Sequence, residues 1–289
     1  MSSVVHHRTA TVKGMDVFYR EAGDPRSPAL VLLHGFPTSS HMFRNLIPAL
    51  ADTYRVIAPD MIGFGQSAMP TVDEFDYTFD TLTDVTAALL EQLGVDRFAV
   101  YGQDYGAPIA WRLATRSPQR ITAIITQNGN GYTDGFVKAF WDGLFAYAEN
   151  PTPENEAPLR GALTLELTRW QYLNGVADPS LVSPDSWTID QALLDRPGND
   201  AIQLALFRNY PTNVALYPQL QQYFRDSQVP LLAVWGANDE IFGPDGARAF
   251  QRDLPDAEIH LLESGHFALE SHLEEIAGYI RDFLARVTS

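Results

Sequence analysis

An α/β fold, a mostly parallel sheet with helices packed on its faces, is predicted by two features of this 289-residue chain. Short apolar runs recur along it, and stretches of helical periodicity fill the intervals between them. Strands alternating with helices imply right-handed crossovers and a parallel sheet.

The elements follow in order. Alternation over Thr9 to Val12 and Met15 to Arg20, broken at Gly14, predicts an antiparallel hairpin at the N-terminal end. Ala29–Leu33, Tyr54–Ala58, Phe98–Tyr101, Ile121–Thr126 and Leu231–Trp235 are short apolar runs, with Ile259–Leu262 closing the series. Such runs suit strands buried on both faces. Helical spacing marks Thr78 to Leu93, through Val85, Leu89 and Leu93, and also Ala107 to Arg116 and Glu274 to Val287. The alternation stops over residues 131–225, which are rich in Trp and Tyr and broken by Pro151, Pro153, Pro158, Pro184 and Pro197. That stretch reads as an inserted helical cap between two parts of one core, residues 1–130 and 226–289. Most of its aromatics are expected to form the cap's own interior.

Composition removes several classes of function. With 45% hydrophobic and 19% charged residues the chain has the make-up of an ordinary globular protein. A net charge of −16 argues against nucleic acid or an anionic membrane as partner, since both need basic patches. The absence of cysteine excludes disulfides, thiolate catalysis and iron–sulfur ligation. Met1 to Arg8 lacks the apolar run of a signal peptide, and no stretch reaches the length of a membrane span, so a soluble, cytoplasmic protein is expected. Composition leaves monomer and homodimer equally open.

The chemistry concentrates at the ends of the apolar runs, where a parallel sheet gathers its functional side chains. Gly102-Gln103-Asp104-Tyr105-Gly106 joins a strand to a helix with the Gly-x-nucleophile-x-Gly spacing of a sharp elbow, a carboxylate standing at its centre. A carboxylate there attacks as a nucleophile and forms an ester with its substrate, which points to alkylating substrates. Asp239 follows the Leu231 run in Gly236-Ala237-Asn238-Asp239, and His266 follows the Ile259 run in Ser264-Gly265-His266-Phe267. The order nucleophile, acid, histidine is thereby complete. Glu240 and Asp134 are distant rivals for the acid. Gln127-Asn128-Gly129-Asn130, after the preceding run, offers only amides. His34-Gly35-Phe36-Pro37 and Asp60-Met61-Ile62-Gly63-Phe64-Gly65-Gln66-Ser67 are loops, the second read as a structural turn.

Together these motifs resemble the α/β-hydrolase superfamily, in its branch of epoxide hydrolases and haloalkane dehalogenases. The resemblance covers nearly the whole chain outside the cap. It implies catalysis by Asp104, Asp239 and His266 with no cofactor and no metal, on a small hydrophobic electrophile. Asp104, with a reference pKa of about 3.9, is expected to be ionised at rest. His266, oriented by Asp239, then activates water against the ester, and the backbone amides of Phe36 and Tyr105 form the oxyanion hole.

The same resemblance assigns the leaving group to the cap. Epoxide hydrolases use two cap tyrosines, here Tyr147 and Tyr210, with Tyr172 and Tyr217 as substitutes. Pro211 stands where that family carries an arginine. Dehalogenases cradle halide with indole N–H groups, which Trp141 or Trp170 would supply. Gln103 suits that branch, but Tyr105 and Phe36 replace its usual halide donors. The fluoroacetate-type arginine beside the nucleophile is absent. Epoxide hydrolysis is therefore the leading expectation, with dehalogenation second and a non-catalytic small-molecule binder third. His34, Phe36, Trp141, Trp170, Tyr172 and Phe267 are the expected pocket residues.

Overall fold

The computed structural model describes residues 4–287. Met1, Ser2 and Ser3, part of the stretch read as lacking a signal peptide, lie outside the described residues. Among the described residues no helix is long and apolar enough to cross a membrane.

Eight strands form one sheet: β1 (His6–Val12), β2 (Met15–Ala22), β3 (Ala29–Leu33), β4 (Arg55–Pro59), β5 (Phe98–Gln103), β6 (Ile121–Gln127), β7 (Leu231–Gly236) and β8 (Glu258–Leu262). Their order is β1-β2-β4-β3-β5-β6-β7-β8. The β1–β2 and β2–β4 pairs are antiparallel, and every pair from β4 to β8 is parallel. The hairpin turns at Lys13 and Gly14, both at positive φ, as a two-residue loop between right-twisted strands requires.

Period-two alternation splits the apolar runs between two cores. Val31, Leu33, Ile57, Val100, Ile124 and Trp235 face one side, whereas Leu30, Leu32, Val56, Tyr101, Ile125 and Val234 face the other. On the second side lie α1 (Leu46–Leu50) and, at the C-terminal end, α12 (Leu273–Val287). The α12 stripe Ile276, Ile280, Phe283 and Leu284 is fully buried there, each side chain contributing about 1.5–3 kcal/mol by leaving water. On the first side lie α2 (Phe79–Gln92) and α3 (Gly106–Arg116). Thr78 caps α2 reciprocally: its hydroxyl accepts from Thr81 N at 3.1 Å and its own N–H donates to the Thr81 hydroxyl at 3.1 Å.

Between β6 and β7 the chain forms α4 (Lys138–Glu149), α5 (Pro153–Arg160), α6 (Leu165–Leu173), α7 (Pro184–Leu194), α8 (Asn199–Asn209) and α9 (Pro211–Ser227). After β7 come α10 (Asp245–Ala249) and, beyond β8, α11 (Ala268–Ser271). Hydrogen bonds fix the helical segment to the core, those of Arg112 and Asn238 among them. Buried Arg112 on α3 donates to Asp80 at 3.0 Å, to Asn213 at 2.7 Å and to Thr212 at 3.1 Å. At the other end Asn238 donates to the Gly175 carbonyl at 3.1 Å, just beyond α6.

The turn after β5 is tightly packed. Asp104 adopts φ +48°, a left-handed conformation that ordinary residues rarely take. A Cβ at Gly106 would overlap the Leu33 carbonyl oxygen, and one at Gly35 would run into the Asp104 side chain. Gly106→Ala is therefore expected to destabilise the fold by roughly 1–3 kcal/mol through overpacking against backbone. Urea unfolding measures this, and an unchanged midpoint would show that the turn is less crowded than described.

Candidate active site

Three strand-end loops bring Asp104, Asp239 and His266 together beneath the helical segment. All three are buried. Asp239 Oδ2 lies 2.8 Å from His266 Nδ1, which gives Nδ1 the proton and leaves Nε2 toward Asp104 Oδ2, 4.0 Å away. The acid is itself held: Ile241 N donates to its Oδ1 at 2.7 Å, and Asn128 Nδ2 donates to its Oδ2 at 2.8 Å. Asn128 also accepts from Gly236 N at 2.9 Å, so it clamps the end of β7 as well.

Asp104 meets both amides named from the sequence. Phe36 N donates to Oδ1 at 2.6 Å, and the Tyr105 amide also hydrogen-bonds the carboxylate. Burial pushes the Asp104 pKa up, so the reference value understates how hard it is to ionise. The His266 charge and the two amides oppose that rise, while Asp239 adds to it. For His266, burial works to lower the pKa but is outweighed by Asp239, through its charge and hydrogen bond, and by Asp104, leaving the net value raised.

Above the carboxylate lies an apolar cavity of about 370 Å³ lined by Phe36, Asp104, Tyr105, Phe140, Trp141, Leu144, Leu159, Leu167, Gln171, Phe207 and Ile241, among others. Its size and composition suit a small hydrophobic molecule. Gln171 on α6 is buried in this wall with its Nε2 unpartnered. Among the described residues no group of three or more His, Cys, Asp or Glu is placed to hold a metal ion.

Several expected residues sit elsewhere. Tyr147 lines a separate cavity with Tyr77, Arg160 and Arg208, and its hydroxyl meets Glu156 at 3.5 Å. It is not among the residues that line the cavity over Asp104. Tyr210 is fully buried close to the site, its ring 6.1 Å from that of Tyr105 and 4.4 Å from that of Trp141. Trp141 lines the cavity, but its indole N–H is already donated to the Ile241 carbonyl at 2.8 Å. Half-buried Trp170 stacks on Phe140 behind the wall.

The remaining expected pocket residues support the site without lining it. His34 is locked between the Gly35 carbonyl, 3.0 Å from Nδ1, and Met61 N, which donates to Nε2 at 3.1 Å. Phe267 is stacked on Tyr172 at 4.0 Å, and the Tyr172 hydroxyl donates to Asp190. Tyr217 stacks on Phe136. Of the rival acids, Glu240 is exposed and Asp134 is paired with Arg252 at 2.8 Å. Asp60 holds its loop by accepting from Ser40 N at 2.8 Å and Gln66 N at 2.7 Å, the structural turn read from the sequence. Sequence reasoning missed Asn128 and Gln171 as parts of the site. The only signal for Asn128 was its place at the end of β6.

The model of the alpha/beta hydrolase fold family matches residues 28–273. The chain belongs to this family. An uncharacterized hydrolase of Saccharomyces cerevisiae is 41% identical over 99% of both chains. A haloalkane dehalogenase of Mesorhizobium japonicum is 29% identical, covering 93% of this chain and 88% of its own. The crystal structure of an epoxide hydrolase without ligand superposes with a TM-score of 0.78 over 98% of this chain and 99% of that one, at 24% identity, a likeness of fold. The chain is thus a hydrolase of the α/β family.

One buried carboxyl outside the cavity ties this family member's helical segment to its core. Burial pushes Asp190 up to about 7; hydrogen bonds from Tyr172 and Thr38 and the charge of Arg44 oppose the rise, whereas Glu270 adds to it. The folded state favours the neutral acid, so its stabilising contribution is full below the unfolded pKa of about 4. It is lost as pH rises to 7. Asp190→Asn, which keeps an acceptor for Tyr172, is expected to gain stability over the parent between pH 4 and pH 8, on the order of a few kcal/mol. A difference that stays constant across that range would remove Asp190 as the titrating group.

Proposed function

We propose that this hydrolase opens epoxides to diols through a covalent ester on Asp104. The observation that carries the reading is that Phe36 N donates to Asp104 Oδ1 at 2.6 Å while His266 Nε2 lies 4.0 Å from Oδ2. One oxygen is anchored where the tetrahedral oxyanion forms, and the other is left to attack.

In the first half-reaction, Asp104 Oδ2 attacks a saturated epoxide carbon, and the ring C–O bond breaks with its electrons passing to oxygen. Tyr210, kept protonated by burial and then by the charges of Tyr217 and Asp104, donates its proton to the nascent alkoxide. In the second half-reaction His266 Nε2 takes a proton from water, and the hydroxide adds to the ester carbonyl while the Phe36 and Tyr105 amides hold the oxyanion. Collapse expels the diol oxygen, which recovers a proton from His266, and the proton left on the new Asp104 carboxyl returns to the Tyr210 phenolate. One water is consumed, and its oxygen enters Asp104 while the original Oδ2 leaves with the diol.

Epoxides are favoured over halides because the indole of Trp141, which lines the cavity, is committed to Ile241. Halide release is the second reading. It is supported by the 29% identical dehalogenase and by the unpartnered Gln171 amide, a weak donor of the kind a departing halide uses.

A panel of terminal epoxides and 1-haloalkanes of matched length tests both readings. Diol formation is expected, and halide release without diol would reverse the preference. In His266→Gln, the active substrate is expected to remain on Asp104 as a mass increase of the peptide that contains it. Normal turnover by that variant with no adduct would rule out the ester. Tyr210→Phe is expected to slow ester formation by about 10²-fold and to leave ester hydrolysis unchanged, as for loss of a general acid. Single-turnover kinetics separates the two steps, and equal slowing of both would take Tyr210 out of the leaving-group role.

A further inference from the structure

Gln103 immediately precedes Asp104 and is fully buried. Its Nε2 lies 2.9 Å from His266 Nε2, the nitrogen that must accept the proton of water if the function proposed above holds. Its Oε1 is equally buried and has no hydrogen-bond partner. An unpaired buried amide oxygen is destabilising and calls for a use.

We infer that Gln103 is a positioning residue for ester hydrolysis, its amide turning over with the protonation state of His266: the N–H donates to the neutral imidazole and the carbonyl accepts from the imidazolium. Because Asp239 fixes the proton on Nδ1, any change of charge occurs at Nε2. The charged groups facing His266 are Asp239 and Asp104. The rings of Phe242 and Phe267 pack against the imidazole, and Gln127 donates to the His266 backbone carbonyl at 3.2 Å.

Timing makes the amide matter. During ester formation Asp104 is an anion near Nε2 and favours a charged ring. Once esterified it is neutral, so the imidazolium formed in the second step has no anion at Nε2. Rotating the Gln103 amide by 180° supplies an acceptor there and, since Oε1 has no partner, breaks no other hydrogen bond.

Two variants test the idea. Gln103→Met keeps the volume and removes both hydrogen-bonding ends. Gln103→Glu keeps only an acceptor. In single-turnover reactions Gln103→Met is expected to slow ester hydrolysis roughly 10- to 100-fold, the worth of a charge-assisted hydrogen bond, while ester formation changes by less than about threefold. In the substrate-free proteins, ¹⁵N NMR of the imidazole reads the His266 pKa directly. Hydrogen bonds to the charged ring are about twice as strong as those to the neutral one, so the pKa is expected to fall in Gln103→Met and to rise above the parent in Gln103→Glu. Equal slowing of both steps, or a His266 pKa unmoved in both variants, would overturn the inference. The NMR arm needs no turnover: missing adducts in His266→Gln count against the ester mechanism, whereas an unmoved pKa counts against Gln103.

Discussion

Keeping a charged carboxylate inside an apolar pocket is the constraint on which the rest of this structure depends. A buried anion needs hydrogen bonds and a counter-charge or it takes up a proton. Asp104 obtains them from the Phe36 and Tyr105 amides and from His266, and each of those must be brought within reach by backbone. The β3 loop approaches closely enough only because residue 35 is glycine, and α3 begins against Leu33 only because residue 106 is glycine. The left-handed turn at Asp104 is thus held by its surroundings, with the sheet supplying the rigidity.

His266 depends on a second chain of supports. Its Nδ1 rests on Asp239, whose carboxylate is in turn fixed by Asn128 and the Ile241 amide. Gly265, beside His266, lies so close to the Asn174 carbonyl that a Cβ there would overlap it, so the loop is pinned by the end of α6. The His266 imidazole is therefore set partly by the sheet and partly by the helical segment above it.

Much of the core was legible in the sequence because its signals are local. Apolar runs located the strands to within a few residues, and the glycines around Asp104 marked the elbow. Asp239 and His266 stood out because they are ionisable and follow strands. Asn128 and Gln171 did not, since an amide carries no chemical signal until its partners, or their absence, are seen. Tyr147 failed for a different reason. Its position counted along the chain from Asp104 could not show that its side chain would turn into a separate cavity beside Tyr77, Arg160 and Arg208. Trp141 lines the cavity, yet which carbonyl its indole would meet depends on a loop 100 residues away.

The cavity walls divide by origin. Phe36, Asp104, Tyr105 and Ile241 come from strand-end loops, while the remaining lining residues, Phe140, Leu144, Leu159, Leu167 and Phe207 among them, come from the helices between β6 and β7. The loops that carry Asp104, Asp239 and His266 and the helices that shape most of the chamber therefore occupy different stretches of the sequence, with Tyr210 in the helical stretch. Point changes at the lining positions of these helices can enlarge, narrow or redirect the chamber while leaving the Asp104 turn as it is. Such a protein can change the shape of its chamber by drift in one segment while the sheet and its strand-end loops stay the same.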